Sequence, residues 1–212
     1  MEIFWLGQSC FKIRSKDLVL VTDPFSPEIG LKMPKTEADI ITVSHSHFDH
    51  NNIEAIGGNP FVIDGPGEYE IKGINIVGVE TYHDDVEGHE RGRNTIYIIE
   101  IEDLRICHLG DLGHNLSNEI LEKIDGVDIL MIPTGGLFTL DSAKAQEVIS
   151  QISPKIVIPM HYKIDNLKIN LDGVDKFCKE MGASNKPQDK LVIKKANLSE
   201  EEEEKIVILN KK

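Results

Sequence analysis

Residues 45–50 read His-Ser-His-Phe-Asp-His, directly after the apolar stretch Ile40–Val43. Three imidazoles and a carboxylate within six positions have little use in a purely structural segment, because buried polar groups cost free energy unless something satisfies them. Alternate residues of an extended segment point the same way, so His45 and His47 can converge on one metal ion. Asp49 and His50 then turn the corner and can reach a second. Borderline divalent ions such as zinc accept imidazole nitrogen and carboxylate oxygen together. Four ligands are too few for two ions, so the chain must fold in a way that carries other ligand-type residues to the end of the Ile40–Val43 strand.

The remaining histidines are His83, His89, His108, His114 and His161. His161 ends the apolar run 155–160, Asp111 follows 104–109 in Gly110-Asp111, and His83 follows 74–80. Each of these three stands at a strand end, where α/β proteins commonly place their sites. The Asp111 carboxylate could bridge two ions.

Short runs rich in Ile and Val, bounded by Gly, Pro, Asn or Asp, predict strands over 2–6, 10–14, 17–22, 39–43, 60–63, 68–79 and 94–101. Helices are expected over 115–124, 141–151 and 172–181, with Ser117 and Asp141 as N-caps for the first two. Asp17–Asp23 followed by Ala38–His45 is echoed by Asp103–Asp111 followed by Val127–Pro133. Each time a strand ends in Asp and a second buried strand begins after another Asp, which suggests two pseudo-repeated halves. Residues 189–196 and 205–210 predict a final pair of strands, with the acidic run Ser199–Glu204 as a solvated turn between them.

With 212 residues, 40% hydrophobic and 28% charged, the chain has the composition of a soluble globular protein. Its net charge of −13 disfavours nucleic acid and anionic membrane as partners, though not a local positive pocket. Cys10, Cys107 and Cys178 are odd in number and widely spaced, which argues against a disulfide framework and for a reducing cytoplasm. Neither a signal-peptide pattern nor an apolar run of membrane-spanning length is expected.

The H-x-H-x-D-H motif, with Thr22-Asp23-Pro24 before it and a histidine, Gly-Asp and a late histidine after it, resembles the metallo-β-lactamase fold superfamily of metal-dependent hydrolases. Trp5–Phe11, Cys107–Asp111 and Pro159–Tyr162 carry a narrower likeness to a small branch that also resembles ascorbate-6-phosphate lactonase and the N-acylethanolamine phospholipase D. The resemblance runs from residue 3 to about 165. It implies an α/β fold, a four-layer αβ/βα sandwich with two mixed sheets, formed as a single domain over 1–212.

It also implies two divalent ions, zinc first, with manganese, iron and nickel admissible. His45, His47 and His83 would hold one ion, Asp49, His50 and His161 the other, and Asp111 would bridge them. His89 and His108 lie close enough in sequence to compete with His83. His108 reads as a supporting or pocket-lining residue, and His89 and His114 as surface histidines. Asp23 either accepts the outer N–H of a ligand histidine or caps its turn, and Gly135-Gly136 either lines the pocket or serves backbone packing.

The expected chemistry is hydrolysis of a small ester, lactone or phosphodiester, anionic substrates included, by a metal-activated hydroxide. Asp49 would act as the catalytic residue that orients the hydroxide and shuttles its proton. Arg91, Arg93 and Lys163 read as ordinary exposed cations, with anion binding as the alternative. A G-x-S-x-G nucleophile motif is absent. The rival readings are a di-iron redox protein on the same scaffold and a non-catalytic metal- or ligand-binding protein.

Overall fold

A computed structural model describes residues 1–198 and 204–212. The first half of the chain lays down β1 (Glu2–Gly7), β2 (Cys10–Arg14), β3 (Val19–Thr22), β4 (Thr36–Thr42) and β5 (Ile56–Ile63). The chain then builds β6 (Gly67–Ile71), β7 (Ile74–Tyr82), β8 (Arg93–Ile101), β9 (Leu104–His108), α1 (Asn118–Lys123), β10 (Ile129–Pro133), α2 (Ser142–Ile152), β11 (Ile156–Met160) and α3 (Val174–Glu180). Two short strands follow, β12 (Leu191–Val192) and β13 (Lys205–Ile206).

The strands form a six-stranded sheet, β12-β1-β2-β3-β4-β5, and a seven-stranded sheet, β13-β11-β10-β9-β8-β7-β6. Both are mixed. From β1 to β5 the pairings run antiparallel, antiparallel, parallel, parallel, and from β7 to β11 the same sequence recurs. This matched order supports the proposal of one domain made of two pseudo-repeated halves.

Alternation along the strands explains the layers, since successive side chains face opposite sides of a sheet. Ile3, Phe11, Ile13, Leu20 and Ile40 from one sheet meet Ile76, Tyr97, Ile99, Ile106, Met131 and Ile158 from the other in a shared central core. The opposite face of the seven-stranded sheet, including Ile96, Ile98, Leu130 and Ile132, packs on Ala145, Val148, Ile149 and Phe177 of α2 and α3. The opposite face of the six-stranded sheet, with Leu6, Val21, Ile41 and Val43, is covered by Phe25, Ile29, Leu31, Leu167 and Leu171. These belong to loops and one 3-10 turn (Pro27–Ile29), so this outer layer of the αβ/βα sandwich is thin.

Two expectations change. The run 68–79 is two strands, because Lys72 (φ +52°) and Gly73 (φ +78°) turn the chain between antiparallel β6 and β7. Two consecutive left-handed residues match the twist of a tight hairpin. The last two strands are not a pair: β12 adds antiparallel to β1 and β13 adds parallel to β11, so each closes an edge of a different sheet. The acidic run Ser199–Glu204 lies outside the described residues except for Glu204. Ser117 and Asp141 do cap their helices, accepting from Ile120 N and Lys144 N. No helix among the described residues is long and apolar enough to cross a membrane.

Candidate metal centre

The parallel strands of both sheets end at one rim of the sandwich, and the candidate ligands leave the chain there. His45, His47, Asp49 and His50 sit on the loop after β4. His83 follows β7, Asp111 follows β9 and His161 follows β11. The structure brings all seven together. Potential ligand atoms of His45, His47 and His83 lie within 4.8 Å of one another, as do those of Asp49, His50 and His161, and those of His45, His50 and Asp111. His45 Nε2 is 3.0 Å from His47 Nδ1. The Asp111 Oδ2 atom is 3.2 Å from Nε2 of both His50 and His83 and 3.3 Å from Nε2 of His161. It thus stands between the two histidine groups.

The donor set fits divalent ions on an observation internal to the site. The His50 Nε2 atom and both ring nitrogens of His161 are buried without a well-formed hydrogen bond. Carboxylate oxygens are near, but their directions are poor for N–H donation, and buried ring nitrogens ordinarily find a partner. Burial opposes a charge on His50, yet the Asp111 and Asp49 carboxylates outweigh it and push its pKa well above the usual histidine range. Carboxylate oxygens facing buried imidazole nitrogens make up the mixed donor set that divalent ions accept. Burial also opposes ionisation of Asp111, but His161 and His50 hold its pKa well below the carboxylate range. The His45 ring goes the other way, lowered to about 3 by burial and by the charge on His50, so it presents a neutral imidazole at pH 7.

Proton bookkeeping fixes how two rings face the centre. The buried Asp23 carboxylate accepts from Ser44 N (2.7 Å), Ser44 Oγ (2.6 Å) and His50 Nδ1 (2.9 Å). Burial raises its pKa, but the His50 hydrogen bond leads the opposing effects and the net shift is downward. A carboxylate only accepts, so Ser44 Oγ must donate to Asp23 and accept Nδ1–H from His45 at 2.9 Å. Both His45 and His50 are thereby turned with Nε2 toward the centre. Asp23 is thus a support for ligand-type histidines, which settles the alternative left open by its position before Pro24. Thr95 N also donates to Ser44 O (2.8 Å), which ties the loop to the facing sheet.

On the seven-stranded side, Asp111 N donates to Asn94 Oδ1 (2.9 Å), and Asn94 Nδ2 is braced by Thr81 Oγ1 and Leu109 O. Gly110 has φ +56°, and a Cβ there would lie 2.3 Å from Asn94 Oδ1 and 2.6 Å from Ser44 Cβ. The two halves of the site touch at this glycine. Gly135 is buried, and a Cβ on it would lie 2.1 Å from the His161 carbonyl, so backbone packing accounts for it.

His108 supports the site from behind: Nε2 lies 2.8 Å from Ser9 O, and Gly110 N donates to Nδ1. His89 is exposed. His114 is half-buried and accepts from Tyr82 N, so it braces a loop. Arg93 pairs with Glu80 (2.9 Å). The Lys163 ammonium donates to the carbonyls of Leu167 and Ile169. Only Arg91 of the three cations lines the cavity over the centre, which has a volume of about 470 Å³.

Sequence reasoning gave no role to the turn between β1 and β2. Gln8 Nε2 donates to Asp49 Oδ2 (3.3 Å), its carbonyl accepts from His161 N (3.2 Å), and Ser9 Oγ donates to Asp111 Oδ1 (3.4 Å). Gln8, Asp23 and His161 all have left-handed backbones, with φ of +49°, +39° and +51°. Such residues cost free energy and cluster at functional sites. The three-residue gap between the expected strands 2–6 and 10–14, which opens on Gly7, was the available signal.

A family model described as the beta-lactamase superfamily domain matches residues 2–161. A UPF0173 metal-dependent hydrolase of Thermoplasma volcanium is 30% identical, the match covering 76% of this chain and 83% of the relative. A crystal structure from Thermotoga maritima, provisionally named a Zn-dependent hydrolase of the metallo-beta-lactamase superfamily, is 36% identical. It covers 98% of this chain and 97% of that one at a TM-score of 0.78. Igni18, a metallo hydrolase from Ignicoccus hospitalis, shares the fold at 17% identity and a TM-score of 0.67, over 91% of this chain and 99% of its own. With its motif, its two mixed sheets and these relatives, the chain belongs to the beta-lactamase superfamily, within its metallo-β-lactamase-fold branch of metal-dependent hydrolases.

Proposed function

We propose that this chain is a hydrolase with a two-ion centre, zinc being favoured by the ligand set, acting on a small ester, lactone or phosphodiester. The observation that carries the reading is the convergence of seven ligand-type side chains from four strand ends, with buried ring nitrogens left without hydrogen-bond partners. His45, His47 and His83 would hold one ion, Asp49, His50 and His161 the other, and Asp111 both. Such ions, when bound, polarise the scissile group and lower the pKa of a water toward neutrality.

The chain's own residues supply the rest. Burial and His50 act in opposite directions on Asp49, and its pKa falls below the usual carboxylate range, so it is ionised at pH 7. Its Oδ2 faces His50 and His161 and accepts from Gln8. Its Oδ1 makes no hydrogen bond among the described residues, which leaves that oxygen to accept a hydrogen bond from a water and orient it. Phe48, Phe138 and Ile169 give the cavity an apolar wall. The acyl carbon–oxygen or phosphorus–oxygen bond breaks, and the elements of water are divided between the two products.

The three cysteines are buried and unpaired, which supports a reducing cytoplasm as the compartment we propose. The proposed partner is a small molecule alone, without nucleic acid or membrane. A screen of ester, lactone, β-lactam and phosphodiester substrates on zinc-loaded protein tests the reading. Hydrolysis in one class, lost on chelation and restored by zinc, is expected. Loaded protein that turns over none of them contradicts it, and iron with visible absorbance points to the redox rival.

A further inference from the structure

The chain has four arginines, Arg14, Arg91, Arg93 and Arg105. Three are paired with glutamates: Arg14 with Glu2, Arg93 with Glu80 and Arg105 with Glu100. Arg91 lines the cavity over the candidate centre, and among the described residues its guanidinium has no carboxylate partner. In a chain of net charge −13, Arg91 is thus a local positive group beside the candidate centre.

The backbone delivers Arg91 there by construction. Asp84, next to His83, accepts four backbone N–H groups: Val86 (3.0 Å) and Gly88 (2.7 Å) on Oδ1, Glu90 (3.1 Å) and Arg91 (2.7 Å) on Oδ2. One carboxylate thus folds the whole 84–91 loop and fixes the point at which the Arg91 side chain departs. The Arg91 Cζ atom lies 4.1 Å from the centroid of Phe138, a residue of the loop after β10. A guanidinium held against a ring by its face keeps its N–H edges available, and those edges match carboxylate and phosphate oxygens in bidentate fashion. Beside it, Phe48, Phe138 and Ile169 give the cavity an apolar side, and Phe48 is 51% exposed without a covering partner.

We propose that Arg91, seated on Phe138, is a substrate-anion subsite, and that the substrate is a small ester or lactone carrying a carboxylate or phosphate on a short apolar body. The inference rests on the hydrolase reading above. The anion sits at Arg91, the apolar body lies against Phe48 and Ile169, and the scissile group reaches the floor of the cavity. Asp84 is a positioning residue for this subsite.

The test compares 4-nitrophenyl acetate with 4-nitrophenyl hemisuccinate, a matched neutral and anionic ester, on zinc-loaded wild type, Arg91→Gln and Arg91→Lys. The preference for the anionic ester, as a ratio of kcat/KM, should fall ~10–100-fold in Arg91→Gln, chiefly through KM, and less in Arg91→Lys. Inhibition by free succinate and by inorganic phosphate, measured on the same proteins, reads the subsite with anions that carry no scissile bond. The anion that loses potency in Arg91→Gln names the head group. An unchanged ester ratio together with unchanged inhibition by both anions overturns the subsite. Metal content is measured in parallel: wild type that binds no metal and hydrolyses neither ester overturns the hydrolase reading instead, and calorimetric binding of succinate or phosphate that weakens in Arg91→Gln would then leave the anion site standing by itself.

Discussion

The six-stranded sheet brings His45, His47, Asp49 and His50 to the centre on one loop, whereas the seven-stranded sheet brings His83, Asp111 and His161 from the ends of three separate strands. A loop carrying four ligands holds its geometry only if it is pinned, and Asp23 does this through Ser44 and His50 while Thr95 holds it from the facing sheet. Ligands at strand ends inherit their positions from the sheet and need close backbone approach instead. Gly110 against Asn94 and Ser44, and Gly135 against the His161 carbonyl, supply it. The contrast teaches that a ligand set can be fixed either by hydrogen bonds to one buried carboxylate or by packing of main chains, and that this centre uses both, one on each side.

Asp111 belongs to the second side but faces histidines of both. Asp111→Ala should therefore have the largest effect, lowering hydrolysis on the order of 10³-fold and emptying at least one metal position, as expected when one partner of a buried charge cluster is removed. Steady-state kinetics with metal analysis of the purified variant check this. Activity within a few-fold of wild type would break the comparison at its centre.

Asp23→Ala tests the loop side alone. The ligand residues all remain, but His50 and Ser44 lose their anchor, and metal affinity should fall ~10–100-fold, the usual cost of removing a group that orients a ligand histidine. Competition with a chromophoric chelator measures it. Unchanged affinity would mean that the loop is held by Thr95 and the facing sheet without Asp23.

Gln8→Ala gives the smallest effect. It removes one long hydrogen bond to Asp49 and keeps the backbone contact to His161, so kcat should drop ~2–10-fold with metal content intact. A loss as large as that of Asp23→Ala would place the β1–β2 turn among the primary supports of the loop.

The same contrast governs what was legible in the sequence. The contiguous loop could be read from spacing alone, because alternation in an extended segment is a local property. His83, Asp111 and His161 could be read as strand ends, but their grouping came through the family resemblance, since nothing local says which strand ends meet. Asp23 was legible as a candidate and not as an outcome. Gln8, Ser9 and Asn94 were hidden because their roles arise from tertiary contact between a turn, a strand and the opposite sheet. Asp84 was hidden for a related reason: a carboxylate collecting four amides looks in sequence like any acidic loop residue. The hairpin at Lys72-Gly73 was missed because the apolar pattern runs through it, and the final strands because two residues of pairing leave almost no periodic signal.

The central claim, two ions bridged by Asp111, is tested most directly by counting zinc per chain in the wild-type protein. Equilibration with excess zinc, removal of the unbound metal and elemental analysis against protein concentration give the number. The account predicts two ions per chain, both removed by chelation. One ion or none at saturation would contradict it.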